Sequence, residues 1–285
     1  MFAVDALGDA RLGWLAAAIV LHVCGQVARG LAWRGVLCAS WPCVTRRSAC
    51  AWHVCGAGLT GILSARGGDV VRIALARRGL AESSWPALAG TLAAEGSFDA
   101  VCGLALAAVA AVLGVGALGT PSPALFAAVA VAVPAVLLLA ARCAWLRPIL
   151  HEVQRGLAVL REPRRWLAQV LPWQVCARVL RLGAVGCFLL AFGLPLAPAV
   201  VIAACAAQGC GAMVPVPGMG PAAVAGALLL AVPLAAGHSV DRGALAGLAV
   251  GLPTALTVVG AAISTVLLVL LTGARSPRAL VAASR

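Results

Sequence analysis

The chain contains no lysine and no tyrosine, and only 11% of its 285 residues are charged. So thin a supply of charge excludes an ordinary solvated globular surface. No polar stretch exceeds roughly 25 residues, well short of an independent domain, which leaves no room for a soluble domain within these residues. Metal chemistry is excluded by spacing. The 11 cysteines never form C-x-x-C, and His22, His53, His151 and His238 are scattered and never stand at i, i+4. Cys24, Cys102, Cys187 and Cys205 fall within apolar runs, where free cysteine behaves as a small hydrophobe. No metal, no cofactor and no catalytic residue is expected.

What the chain does have is apolar length. It is 63% hydrophobic, its mean hydropathy is +1.04, and apolar runs of about 20 residues recur. The sequence therefore reads as an all-α, polytopic membrane bundle, a single transmembrane domain over 1–285. The net charge of +12 is arginine charge, which GC-rich codon usage in an alanine-rich chain explains. Most arginines lie in loops, where they set topology and attract anionic headgroups, so nucleic acid is not an expected partner. Met1 to Ala10 lacks the basic start of a cleaved signal peptide, and the first apolar run is expected to stay in the mature protein.

Seven spans are expected, at 12–33, 85–114, 124–145, 166–193, 195–212, 222–236 and 244–271. Trp14 and Trp33 are 19 residues apart, about 28 Å of helix, which predicts one indole at each membrane interface. The run 48–65 lies between two arginine-rich stretches and carries Gly56, Gly58 and Gly61. A full span there would strand one stretch on the wrong side, so 48–79 is predicted to be a re-entrant or interfacial element. Irregular backbone at depth requires shielding by protein or a cavity. The segment 142–165, with Arg155, Arg161, Arg164 and Arg165, is the predicted cytoplasmic basic loop. This arrangement puts the N-terminus outside and the C-terminus inside, with the basic stretches on the cytoplasmic side.

Three groups of residues and one further arginine can carry chemistry. Glu95 and Asp99 stand four apart inside an apolar run and share one helix face. Ionisable groups in hydrocarbon pair, line a polar cavity or touch a substrate. Here they offer a proton- or cation-coupled step, an acceptor pair for arginines of the re-entrant element, or a buried salt bridge to Arg66 or Arg72. The run Arg66-Gly67-Gly68-Asp69-Val70-Val71-Arg72 combines backbone N–H groups with two guanidiniums, a natural phosphate site or an interfacial anchor. Pro215, Pro217, Gly218 and Gly220 break the chain between two apolar runs, as at transporter substrate sites or in a plain turn. Arg178 is either an interfacial arginine with a snorkelling stem or a phosphate ligand within the cavity.

These runs together resemble the transmembrane (flippase-like) domain family of lysylphosphatidylglycerol synthase over roughly residues 12–272. The segments that carry the resemblance are Ala32-Trp33-Arg34, Ser64 to Arg72, Glu95-Gly96-Ser97-Phe98-Asp99 and Pro215 to Gly220. Ser64, Gly96 and Ala223 stand where the family has a proline, an arginine and a glutamate, and the family's first helix has no counterpart. The resemblance implies a bacterial, multi-pass plasma-membrane protein that binds or flips an anionic or aminoacylated phospholipid. A membrane transferase acting on a phospholipid or polyprenyl-phosphate lipid, and a non-transporting scaffold for another membrane protein or a second copy, are the competing functions.

Overall fold

The computed structural model describes residues 11–60, 67–112 and 147–194, and in the remainder 196–198, 200–202, 204–205, 259–267 and 269–270. The expected spans at 124–145 and 222–236, Arg66, and the break at Pro215, Pro217, Gly218 and Gly220 lie outside the described residues. Within them the regular structure is entirely helical. The principal helices are α1 (Leu12–Leu37), α2 (Arg46–Leu59), α3 (Gly67–Gly79), α4 (Trp85–Val112), α5 (Arg147–Gly156), α6 (Pro163–Gln169) and α7 (Leu171–Ala191), with a single 3-10 turn, Ala158–Arg161, between α5 and α6.

Among the described residues two helices are long and apolar enough to cross a membrane: α1, and α6 with α7, which run on over Pro163–Ala191. They lie antiparallel. Arg11 N donates to Ala191 O at 2.9 Å, Gly25 sits against Ala177 and Leu180, and Gly35 against Gln169 and Val170. Helix α7 ends in a left-handed glycine cap. Gly193 has φ +69°, and Leu194 N returns to Leu189 O at 2.9 Å, satisfying an otherwise orphaned carbonyl.

Helices α2 and α3, with 14 and 13 residues, each reach about 20 Å, too short for a hydrocarbon core of about 30 Å. The side chain of Thr45 caps α2 by accepting from Ser48 N at 3.1 Å. The two helices touch backbone to backbone. A Cβ on Gly68 would stand 2.3 Å from Gly56 O and 2.1 Å from Thr60 Oγ1, so only glycine fits there. The helical segment 259–267 closes on the other flank of α2, where Ser264 Oγ donates to Val54 O at 3.1 Å.

Two expectations need correction. Trp33 is no interfacial anchor: α1 runs on to Leu37, and Trp33 is fully buried. Residues 147–161 form no open loop. The amphipathic α5 lies across α4, with Gly156 so close to Ala87 O that a Cβ would approach to 2.0 Å. Ser84, the N-cap of α4, accepts from Ala87 N and donates to Glu152 Oε2 at 2.6 Å. Ser40 Oγ donates to Arg155 O at 2.7 Å, and Arg165 Nη2 donates to Cys38 O, also at 2.7 Å. Cationic side chains thus complement the carbonyl-rich end of α1, and this basic end is a docked layer.

Candidate functional site

A hydrogen-bonded relay of charges runs through the centre of the described bundle. Arg72, on α3, donates through Nη2 to Glu95 Oε2 on α4. Glu95 Oε1 accepts from Arg29 Nη2 of α1 at 3.3 Å, and the same nitrogen donates to Asp99 Oδ2 at 2.5 Å. Asp99 Oδ1 then accepts from Arg178 Nη2 of α7 at 2.5 Å. Four helices therefore contribute to one alternation of cation, anion, cation, anion and cation. The i, i+4 spacing puts Glu95 and Asp99 on the same face of α4, and Arg29 spans the turn between them.

The relay lies well within the helices. Arg29 is eight residues from the end of α1, Glu95 ten from the start of α4, and Arg178 seven from the start of α7. At 1.5 Å per residue these are depths of about 10–15 Å. Burial differs between its two sides: the side chains of Arg72 and Glu95 are 7% and 2% exposed, whereas Arg29 is 27%, Asp99 29% and Arg178 16%. One end is sealed and the other is open.

The sealed end is held on every side. Arg72 lies over the Trp33 indole, its guanidinium carbon 4.5 Å from the ring centroid, a favourable cation–π contact. Trp33 is itself fixed by Nε1 donating to Thr91 Oγ1 at 3.0 Å and by an edge contact with Trp52 at 6.5 Å. Arg72 Nη1 meets His53 Nδ1 at 2.8 Å. A guanidinium can only donate, so Nδ1 accepts and His53 is neutral with its proton on Nε2. That proton points to Gln26 Oε1 at 3.3 Å, and the Gln26 amide reaches His22 at 3.4 Å. The polar network thus continues from the charges into the middle of α1.

The open end is rich in donors. Gln174, Arg178 and Arg181 recur at i, i+4 and i+7 and form one stripe on α7. Arg29 Nε and Gln174 Nε2 are buried with no hydrogen-bond partner. Antiparallel packing of α1 on α7 brings these two residues to the same level, since Gly25 faces Ala177 and Gly35 faces Gln169. Three guanidiniums share two carboxylates in the relay, and Arg181 adds a fourth within electrostatic reach of Arg178 and Asp99. Asp69 approaches Arg72 Nε at 3.7 Å but is 35% exposed.

Several residues singled out by sequence meet here: Glu95, Asp99, Arg72, Asp69 and Arg178. Arg178 belongs to the body of α7 and pairs with Asp99; it does not lie in an interfacial turn. Gly67 and Gly68 open α3, but Gly68 is occupied by helix packing against Gly56. Arg29, Gln26, His53 and Thr91 escaped the sequence reading. Arg29 carried a usable signal, as an isolated cation within an apolar run. No group of three or more His, Cys, Asp or Glu that could hold a metal occurs among the described residues. Neither a protein-family model, nor a curated protein, nor a solved structure matches the chain.

Proposed function

We propose that this is a multi-pass bacterial plasma-membrane protein of the flippase-like type, which binds a phosphate-bearing membrane lipid and moves it between leaflets. The observation that carries the proposal is the surplus of guanidinium donors at the open end of a buried charge relay. Buried charge is costly unless paired, and a relay with more arginines than carboxylates is suited to receive one more anion. Arginine binds phosphate through a planar fork, and anionic phospholipid brings such a group to this depth. In this reading Arg178 and Arg29 meet the headgroup, while Glu95, Arg72 and His53 hold the relay in place. The short α2 and α3 act as a re-entrant pair that shields the polar centre.

A transferase would require room for a second, soluble substrate, and the loops offer little of it. A scaffold would need no open end.

The test is native mass spectrometry of the purified protein with phosphatidylglycerol and phosphatidylcholine. Wild type is expected to retain phosphatidylglycerol preferentially. Arg178→Lys keeps the charge but loses the fork, and should lose that preference while melting as wild type does. Arg161→Lys and Arg164→Lys, at exposed positions of the basic layer, should change nothing. Equal retention in all four proteins would overturn the headgroup site.

A further inference from the structure

We infer that Asp99 is an internal stand-in for the ligand's phosphate, and that the lipid headgroup binds by displacing its carboxylate from Arg178 and Arg29. The inference rests on the lipid-handling reading for the source of the anion, and on the geometry of the open end for the exchange itself.

The two carboxylates of the relay differ in a way that a purely structural pair would not require. Glu95 is 2% exposed and is enclosed by Arg72, Arg29 and the Trp33–His53 layer. Asp99, a turn further along, is 29% exposed and joins two cations from different helices, Arg29 of α1 and Arg178 of α7, at 2.5 Å each. It is thus the acceptor nearest the opening, and it occupies the fork that a phosphate oxygen would take. The donors around it outnumber what one carboxylate satisfies. Arg29 Nε and Gln174 Nε2 are buried and without a partner, and Gln174 is only 2% exposed. The phosphodiester of phosphatidylglycerol matches Asp99 in charge and in its two anionic oxygens, and adds two ester oxygens and the glycerol hydroxyls as further acceptors. It can hold both guanidiniums and still accept from these amide and guanidine N–H groups.

Gly96 fits the same picture. A Cβ there would meet nothing within 4 Å, so α4 is bare on the turn between the two carboxylates. The carboxylate of Asp99, once displaced, is released from the two guanidiniums that now hold it and becomes accessible from the open side.

The experiment is calorimetric titration of the detergent-purified full chain with short-chain phosphatidylglycerol, with short-chain phosphatidylcholine and inorganic phosphate as parallel arms. Asp99→Asn removes the competing anion and retains the shape. It is expected to bind phosphatidylglycerol about ten- to a hundredfold more tightly than wild type, the weight of one charge-assisted hydrogen bond. Arg178→Gln should lose a similar factor. In wild type, labelling of Asp99 by a hydrophobic carbodiimide should rise when phosphatidylglycerol is added, a readout independent of whether the variant folds. Unchanged or weaker binding by Asp99→Asn, or labelling that falls or stays constant, overturns the exchange. Tighter binding of inorganic phosphate alone by Asp99→Asn supports the exchange but overturns the lipid as its source. If neither phosphatidylglycerol nor inorganic phosphate binds either protein, the proposed lipid function fails together with the exchange.

Discussion

Replacing Glu95 by alanine is expected to cost about 3–5 kcal/mol of folding free energy, because it leaves Arg72 buried beside a hole in place of its carboxylate. Arg72 would retain the Trp33 ring face, the imidazole of His53 and a distant Asp69 at 3.7 Å, with no carboxylate in hydrogen-bonding contact. Glu95→Gln keeps the shape and one acceptor and should be milder. The paired replacement Arg72→Met with Glu95→Leu removes both charges, and exchanging a buried ion pair for apolar side chains is often close to neutral. It should therefore be less destabilised than Glu95→Ala, despite leaving His53 Nδ1 without its donor. Denaturant unfolding in micelles, followed by near-ultraviolet circular dichroism, measures all three. A Glu95→Ala protein as stable as wild type would show that the carboxylate is not paired in the folded chain.

Trp33→Ala should be nearly as damaging, at about 3–5 kcal/mol, the usual cost of truncating a fully buried large aromatic. The loss combines a cavity between α1 and α4, the cation–π contact to Arg72, and the edge contact to Trp52. Trp33→Phe separates these contributions. It retains most of the volume and a ring face for Arg72, and it removes the indole donor to Thr91 Oγ1. Thr91 still donates to Leu88 O at 2.7 Å, so the remaining cost should be about 1 kcal/mol, that of a single hydrogen bond. The same unfolding experiment distinguishes the two. Equal loss in Trp33→Phe and Trp33→Ala would mean that the hydrogen bond, and not packing and the cation, holds this site.

Trp33 also marks where sequence ceases to inform. Its distance from Trp14 matches a bilayer, and spacing along one chain does not tell an interfacial indole from one enclosed by α2 and α4. Helical character was legible in α1, α4 and α7, because long alanine- and leucine-rich runs leave few alternatives; α5, which is neither long nor apolar, read as a loop. The pairing of Glu95 and Asp99 on one face was legible too, since i, i+4 geometry is local. Of the cations they meet, Arg72 was legible as one of two candidates, and Arg29 was not. Arg29 and Glu95 are 66 residues apart, and their contact depends on which faces of α1 and α4 oppose each other. Those faces are set by close approaches such as Gly30 of α1 on Cys50 and Gly90 of α4 on Gly156, which leave no periodic trace. The basic segment 147–165 was legible as charge, but its docking onto the ends of α1 and α4 depends on partners such as Ser40, Cys38 and Ser84.

The charge relay also orders the roles of the arginines. Arg161 and Arg164 lie exposed at the surface. Arg155 and Arg165 fasten the basic layer, and Arg72 holds Glu95. Arg29 and Arg178 are the two that both bind an internal anion and lie towards an opening, which makes them the pair available for exchange.

Headgroup accessibility of a fluorescent anionic phospholipid in proteoliposomes tests the central claim most directly, with wild type, Glu95→Gln and Arg161→Lys reconstituted at equal protein content. Wild type and Arg161→Lys should bring the inner-leaflet lipid to the outer surface at the same rate, and Glu95→Gln, folded but with its relay weakened, should do so much more slowly. Equal rates in Glu95→Gln and wild type, or a wild type no faster than protein-free vesicles, would contradict a lipid pathway built on this relay.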